Sequence, residues 1–238
     1  MTISRRFVLT TALLCGTATA VPSAQAAQSY QSMIDRATAA LEDMRHDNQF
    51  GSSGELIGRA RAVMVVPQLV KGGFIFGAEG GNSILMARTR GGGWSDPAFY
   101  GMGGGSLGLQ IGIETAEVVM FVMTDRALKA WMRNEVKFGA EAGLTVLVVG
   151  TTAEAATAGG QADVIAWART KGAYAGISFK GSVIKQDKKA NARVYGRPIS
   201  AQEIVLDGRG RPSVDVSALK AALGEGGSRR NMSSGRGR

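Results

Sequence analysis

From Gln28 to Arg45, apolar side chains recur at three- and four-residue spacing: Tyr30, Met33, Ile34, Ala37, Leu41 and Met44 form one stripe. That period predicts an amphipathic helix. Asn48 to Gly54 is a polar, Gly/Ser-rich loop, and Glu55 to Ala62 reads as a short second helix. From Val63 the period changes. Val63-Met64-Val65-Val66, ending at Pro67, reads as a buried strand. Phe74 to Gly77, Ser83 to Thr89, Gly105 to Ile113 and Val118 to Met123 follow as strands, separated by glycine-rich turns. Asp125 to Asn134 predicts a helix with Thr124 as its N-cap and Leu128, Trp131 and Met132 on its apolar side. Leu144 to Val149, Asp163 to Arg169, Tyr174 to Phe179 and Val183 to Lys185 are further strand segments. Val214 to Leu223 is a short helix stopped by Gly224.

Glycine changes this picture. The 34 glycines cluster inside the apolar alternation, where glycine weakens a strand unless the backbone needs it. Tight curvature, bulges or a close chain crossing each supply such a need. The expected fold is therefore α+β: N-terminal helices, then a glycine-rich, curved, mostly antiparallel sheet or partial β-barrel packed by helices. An internal echo 100 positions apart matches Lys71-Gly72-Gly73-Phe74 with Lys171-Gly172-Ala173-Tyr174, and Gly81 and Ile84 with Gly181 and Ile184. It suggests quasi-symmetric strand pairs within one domain.

The ends read differently from the middle. Arg5 and Arg6 precede an apolar run from Phe7 to Ala20, too short for a comfortable membrane span, and Ala24-Gln25-Ala26 is a small-x-small cleavage site. This predicts an export signal over residues 1–26, of twin-arginine type or an ordinary secretory signal carrying two arginines. Cys15, the single cysteine, offers lipidation as an alternative. Leu14 before it is a poor fit, and cleavage after Ala26 leaves a mature chain without cysteine. The expected location is periplasmic or envelope-associated. Residues 224–238, Gly/Ser/Arg-rich, read as a disordered basic tail, leaving a single domain over 27–223.

Hydrophobic content of 45% with 20% charged residues marks a globular core. The formal charge is +9, or +7 without residues 1–26. The tail carries +3 of that, so the domain is near +4. That is mildly basic, below the charge of a dedicated nucleic-acid binder, and it favours an anionic membrane surface.

Few residues suit covalent chemistry. Gly104-Gly105-Ser106-Leu107-Gly108 fits a serine nucleophile elbow, which needs a strand, a sharp turn, a helix and a later histidine. His46 is the only histidine and precedes Ser106, so a hydrolase using Ser106 is a minor alternative. Gly103-x-Gly105-x-x-Gly108 fits a dinucleotide fingerprint, but Gln110-Ile111-Gly112-Ile113 is a poor helix start. One histidine and no mature cysteine give no common transition-metal set, and the acidic residues lack calcium-loop spacing. No cofactor, metal or catalytic residue is expected.

Loop cations beside an aromatic are the remaining signal. Lys71 and Lys171 adjoin glycine-rich turns, and Arg88 and Arg90 flank Gly91-Gly92-Gly93 before Trp94. Such a set suits lipid phosphates. The stripe of Tyr30, Met33, Ile34, Leu41 and Met44 has two readings: a helix packed on the domain, or a membrane-surface helix whose polar face carries Arg36 and Arg45.

Taken together, Lys71-Gly72-Gly73-Phe74-Ile75-Phe76-Gly77, Trp94-Ser95-x-Pro97-Ala98-Phe99-Tyr100, Gly105-Ser106-x-Gly108-x-Gln110-Ile111-Gly112, Lys171-Gly172-x-Tyr174-Ala175-Gly176 and Asp187…Asn191…Tyr195-Gly196 resemble the SYLF domain family. The match runs from about Ala27 to Val205. The resemblance implies a non-enzymatic lipid-binding protein. Eukaryotic members bind phosphoinositides, partly through an N-terminal amphipathic helix; some fungal members bind and bundle actin; bacterial members are exported envelope proteins. The expected partner is anionic lipid or a membrane surface, with no nucleic acid. The alternative is a structural or interaction protein binding another envelope component.

Overall fold

The computed structural model describes residues 23–50, 53–73, 76–107, 112–139, 143–149, 162–170 and 179–224. Helix α1 (Ser23–Arg45) is followed by a 3-10 turn (Asn48–Phe50) and α2 (Ser53–Arg59). Strands β1 (Ala62–Gly73), β2 (Phe76–Ala87), β3 (Ala98–Leu107) and β4 (Gly112–Val122) are the four long ones; β1, β2 and β3 pair in succession, and β4 lies on the other side of β1. Then come α3 (Asp125–Trp131), β5 (Glu135–Lys137), β6 (Val146–Val149), β7 (Val164–Thr170) and β8 (Val183–Gln186). Three short helices close the domain: α4 (Lys188–Tyr195), α5 (Ala201–Val205) and α6 (Ser217–Ala222). The strands make one curled half-barrel in the order β5-β8-β3-β2-β1-β4-β7-β6. Every pairing is antiparallel except β6 with β7. The expected α+β fold with a curved, mostly antiparallel sheet is the one observed.

β1 lies at the centre, and Ala62 to Val66 are buried on both faces, as an unbroken apolar run requires. The strand does not end at Pro67. It continues to Gly73, and Pro67 and Gln68 have no register partner on β2 or β4. They form a bulge, where a proline without an N–H costs no ladder bond. The bulge folds over β2: a Cβ on Gly81 would lie 2.6 Å from the Gln68 carbonyl oxygen. The segment read as one strand from Gly105 to Ile113 is also divided, between the end of β3 and the start of β4.

Antiparallel pairing puts the starts of β1, β3 and β7 with the ends of β2, β4 and β8 at one end of the sheet, where the helices connect. The opposite end is a rim of glycine-rich strand ends. α1 crosses one face with its stripe inward. Met33, Ile34, Leu41 and Met44 are buried, and Tyr30 packs edge-on against Phe99. Of the two readings of this stripe, the structure has the helix packed on the domain: the sheet takes the apolar face. Polar contacts fix the helix in place. Arg169 pairs with Asp43 and, at 2.9 Å, with Glu117; Trp167 Nε1 donates to Asp47 at 3.0 Å; Arg45 donates to the Ala222 carbonyl at 2.5 Å.

α3 starts where its sequence predicts, capped by Thr124, whose hydroxyl accepts from the Ala127 N–H. α4, α5 and β5 are absent from the sequence reading. The signal for α5 is present as a capping box, Ser200 with Glu203, and Asp187 caps α4. α4 also completes the sheet. The buried Asn191 side chain accepts from the Phe99 N–H at 2.8 Å and donates to the Phe99 carbonyl at 3.2 Å. It replaces a strand partner where β8 ends.

The strands on either side of the echo at position 171 do not pair with each other: β7 lies beside β4 and β8 beside β3. Lys171 and Tyr174 lie outside the described residues. So do residues 1–22 of the expected signal, and the tail from 225. α1 begins at Ser23, before the cleavage point expected after Ala26.

Gly81→Ala should lower the unfolding free energy by about 1–3 kcal/mol, because the backbone of the bulge has to move. Gly101→Ala, with open space at the same strand depth, should change it by less than 0.5 kcal/mol. Urea unfolding of the two variants checks both values. A second expectation concerns acid. Burial alone would raise the pKa of Asp163, but hydrogen bonds from Thr124, Arg126 and the Thr145 N–H hold it below the ordinary carboxylate value. A lowered folded pKa contributes stability above the ordinary value and loses it as pH falls through the folded one. Urea midpoints measured from pH 7 down to 2 should fall less steeply in Asp163→Asn than in the parent chain.

Candidate functional site at the glycine-rich rim

The motif segments of the sequence meet at the rim. β1 ends there at Gly73 and β2 begins at Phe76, β3 ends at Leu107 and β4 begins at Gly112, and β7 ends at Thr170, opposite Ala116. Lys71 is among the residues brought to this end, but it is not a free cation. Its Nζ lies 3.2 Å from Glu79 Oε2, on the paired position of β2, with side-chain exposures of 20% and 8%. Ser182 donates to the other Glu79 oxygen. Gly104, opposite Glu79 on β3, leaves room for this network: a Cβ there would lie 3.0 Å from Glu79 Oε1 and 3.1 Å from the Ser182 Cα.

The remaining predicted cations are elsewhere. Ala62 pairs with Ala87 at the helical end, and Lys71 is nine positions further along β1, about 30 Å at strand rise. Arg88 lies just beyond Ala87, so it does not join Lys71 in one patch. Its guanidinium carbon sits 4.2 Å from the Trp94 ring centroid, and it donates to the carbonyls of Ile57 at 2.6 Å and Gly92 at 3.1 Å. Trp94 is 3% exposed and donates through Nε1 to the Leu223 carbonyl at 3.1 Å. Arg88 and Trp94 therefore tie α2, the 89–93 turn and the C-terminal helix together. Arg90 is exposed on that turn.

Two rim residues escaped the sequence reading. Ile113 is 84% exposed and Val70 40%. Val70 pairs with Thr115 and Gly72 with Ile113, so the two apolar side chains are diagonal neighbours on the face that α1 covers further up. Each looks like an ordinary strand residue in the sequence. Only the register and the reach of α1 show that Ile113 stands open and that Val70 lies at the edge of a cleft beside α1.

The chemical motifs resolve as strand. Gly103 to Leu107 lies within β3, with Ser106 opposite Gly77, and the chain returns as β4. Neither a nucleophile elbow nor a dinucleotide turn has the helix it requires. His46 is exposed just beyond α1. Among the described residues no three His, Cys, Asp or Glu side chains are grouped to hold a metal.

Comparison with known proteins adds the family. A family model described as "Ysc84: Las17-binding protein actin regulator" matches residues 103–225, which hold the β3 to α6 part of this architecture. The chain belongs to the Ysc84 family. This is the SYLF family of the motif resemblance. The chain is 31% identical over 205 residues to LAS seventeen-binding protein 3 of Saccharomyces cerevisiae, covering 82% of this chain and 44% of the relative. It is 28% identical over 191 residues to Protein YSC84 of the same yeast, covering 76% and 40%. Against SH3 domain-containing YSC84-like protein 1 of Homo sapiens it is 30% identical over 160 residues, covering 66% and 46%. The chain thus spans less than half the length of these Ysc84 relatives, which are named for binding and for SH3 domains rather than for a reaction. No solved structure matches it.

The Arg88–Trp94 geometry sets an expectation. Arg88→Ala should lower the unfolding free energy by about 2 kcal/mol, through the lost carbonyl hydrogen bonds and ring contact. Arg90→Ala should stay within about 0.5 kcal/mol. Denaturant unfolding followed by tryptophan fluorescence separates them.

Proposed function

We propose that this Ysc84 domain is a non-enzymatic binding module of the cell envelope that docks its glycine-rich rim on anionic lipid after export. The supporting observation is the pair Ile113 and Val70, exposed side by side at the end of the sheet free of described helices. Exposed apolar side chains at a rim have a use at a lipid interface, where burying one contributes on the order of 1.5–3 kcal/mol. The mildly basic mature chain supplies the attraction. Lys71 stands beside this rim but is committed to Glu79, and Lys171 follows β7 at the same end, outside the described residues. Arg88 and Trp94 leave the lipid-binding set, since both are spent on the fold. Residues 1–26 support export to the periplasm or envelope.

A second reading rests on the printed description of the family model, which names a binding protein: the same rim would then meet a protein of the envelope.

Flotation of the mature chain with vesicles tests the first reading. Binding to phosphatidylglycerol-containing vesicles should exceed binding to pure phosphatidylcholine and weaken as salt rises. Ile113→Ser should reduce it about tenfold, with thermal unfolding unchanged. Equal binding to both vesicle types at low salt, or full binding by Ile113→Ser, would overturn the lipid reading and favour a protein partner.

A further inference from the structure

A groove runs along the rim-facing flank of α1 and reaches Val70, one of the exposed pair, at its second cleft. Three clefts of about 530, 240 and 170 Å³ adjoin there, and Arg36 lines all of them. The first and second share the Pro67–Gln68 bulge, and the second and third share Met33 and Asn82. In order the clefts touch β7, β4, β1, β2 and β3, so the groove crosses five strands. At ordinary strand spacing that is about 19 Å. An extended chain of about six residues has this length.

The lining states the chemistry. Gln68, Asn82 and Thr115 are amides and a hydroxyl, each able to donate and to accept, as a peptide backbone demands. Between them, Met33, Pro67, Val70, Tyr30 and Phe99 offer apolar contacts to the side chains of such a peptide. The other charges in the groove are occupied: Arg169 holds Asp43 and Glu117, and Asp187 caps α4. Arg36 is exposed and makes no ion pair or hydrogen bond with a described residue. It is the one uncompensated charge, at the middle of the groove, and a guanidinium matches a carboxylate in bidentate geometry.

We propose that this groove is a docking site for an extended peptide segment bearing an acidic side chain, with Arg36 reading the carboxylate and the bulge side chains meeting the peptide backbone. The groove shares Val70 with the lipid reading, but this inference rests on Arg36 and the test of the lipid reading on Ile113.

The test is a display selection of random dodecapeptides on the immobilised mature chain, followed by fluorescence anisotropy with the enriched peptides. Enriched sequences should share an Asp or Glu. Arg36→Gln should weaken their binding at least tenfold, and replacing the peptide's acid by its amide should do the same. Asn82→Asp, which puts a negative charge in the groove, should weaken binding as well. Thermal unfolding should be unchanged in both variants. No enrichment, or enriched peptides that bind Arg36→Gln as well as the parent, would overturn the proposal. So would a loss of phosphatidylglycerol vesicle binding in Arg36→Gln with no peptide enriched, which would make the groove part of the lipid surface. Peptide binding that survives Ile113→Ser while vesicle binding is lost would support both readings separately.

Discussion

The bulge at Pro67 and Gln68, seated over Gly81, is the constraint on which the rest of the domain depends. Upstream of it, β1 is buried on both faces and the sheet carries the helices. Downstream, Val70 faces outward and Lys71 turns to Glu79. The same kink supplies a wall shared by two of the clefts along α1. Gly81 is what permits the approach, since any Cβ there would meet the backbone of Gln68 at 2.6 Å. A flat, evenly paired β1 would have neither the open rim nor the groove.

Several polar residues that look functional are structural instead. Asn191 ends a strand ladder through its side-chain amide, Arg88 and Trp94 join distant segments, and Lys71 pairs with a nearly buried carboxylate. Each satisfies backbone or charge that the curled sheet would otherwise leave unpaired, at a cost comparable to a lost hydrogen bond. The cations left over for recognition are the ones without such a duty, and Arg36 is the clearest of them.

The amphipathic helix illustrates the same economy. A stripe such as that of α1 can pack on a protein or lie on a membrane, and its composition alone does not choose. Here the half-barrel has an open face of matching width, and Asp43, Asp47 and Arg45 anchor the helix through contacts far away in sequence. With that stripe packed on the sheet, the exposed large apolar side chains near the rim are Val70 and Ile113.

Local signals determined a good deal by themselves. The period of α1, the Thr124 cap, the stop at Gly224 and the glycine-rich alternation carried the α+β class and a curved sheet, because spacing and capping act within a few residues. The motif pattern carried the family. The bulge, the separation of β3 from β4, the strand order and the separation of β7 from β8 belong to the tertiary structure. Register depends on partners up to a hundred residues away, and a one-residue shift reverses which face a side chain takes. The site followed the same division: Lys71, Arg88 and Trp94 were legible as residues, but only packing showed them to be committed. Exposure at Ile113 and Val70, and the open charge of Arg36, depend on where α1 stops covering the sheet, which no local pattern encodes.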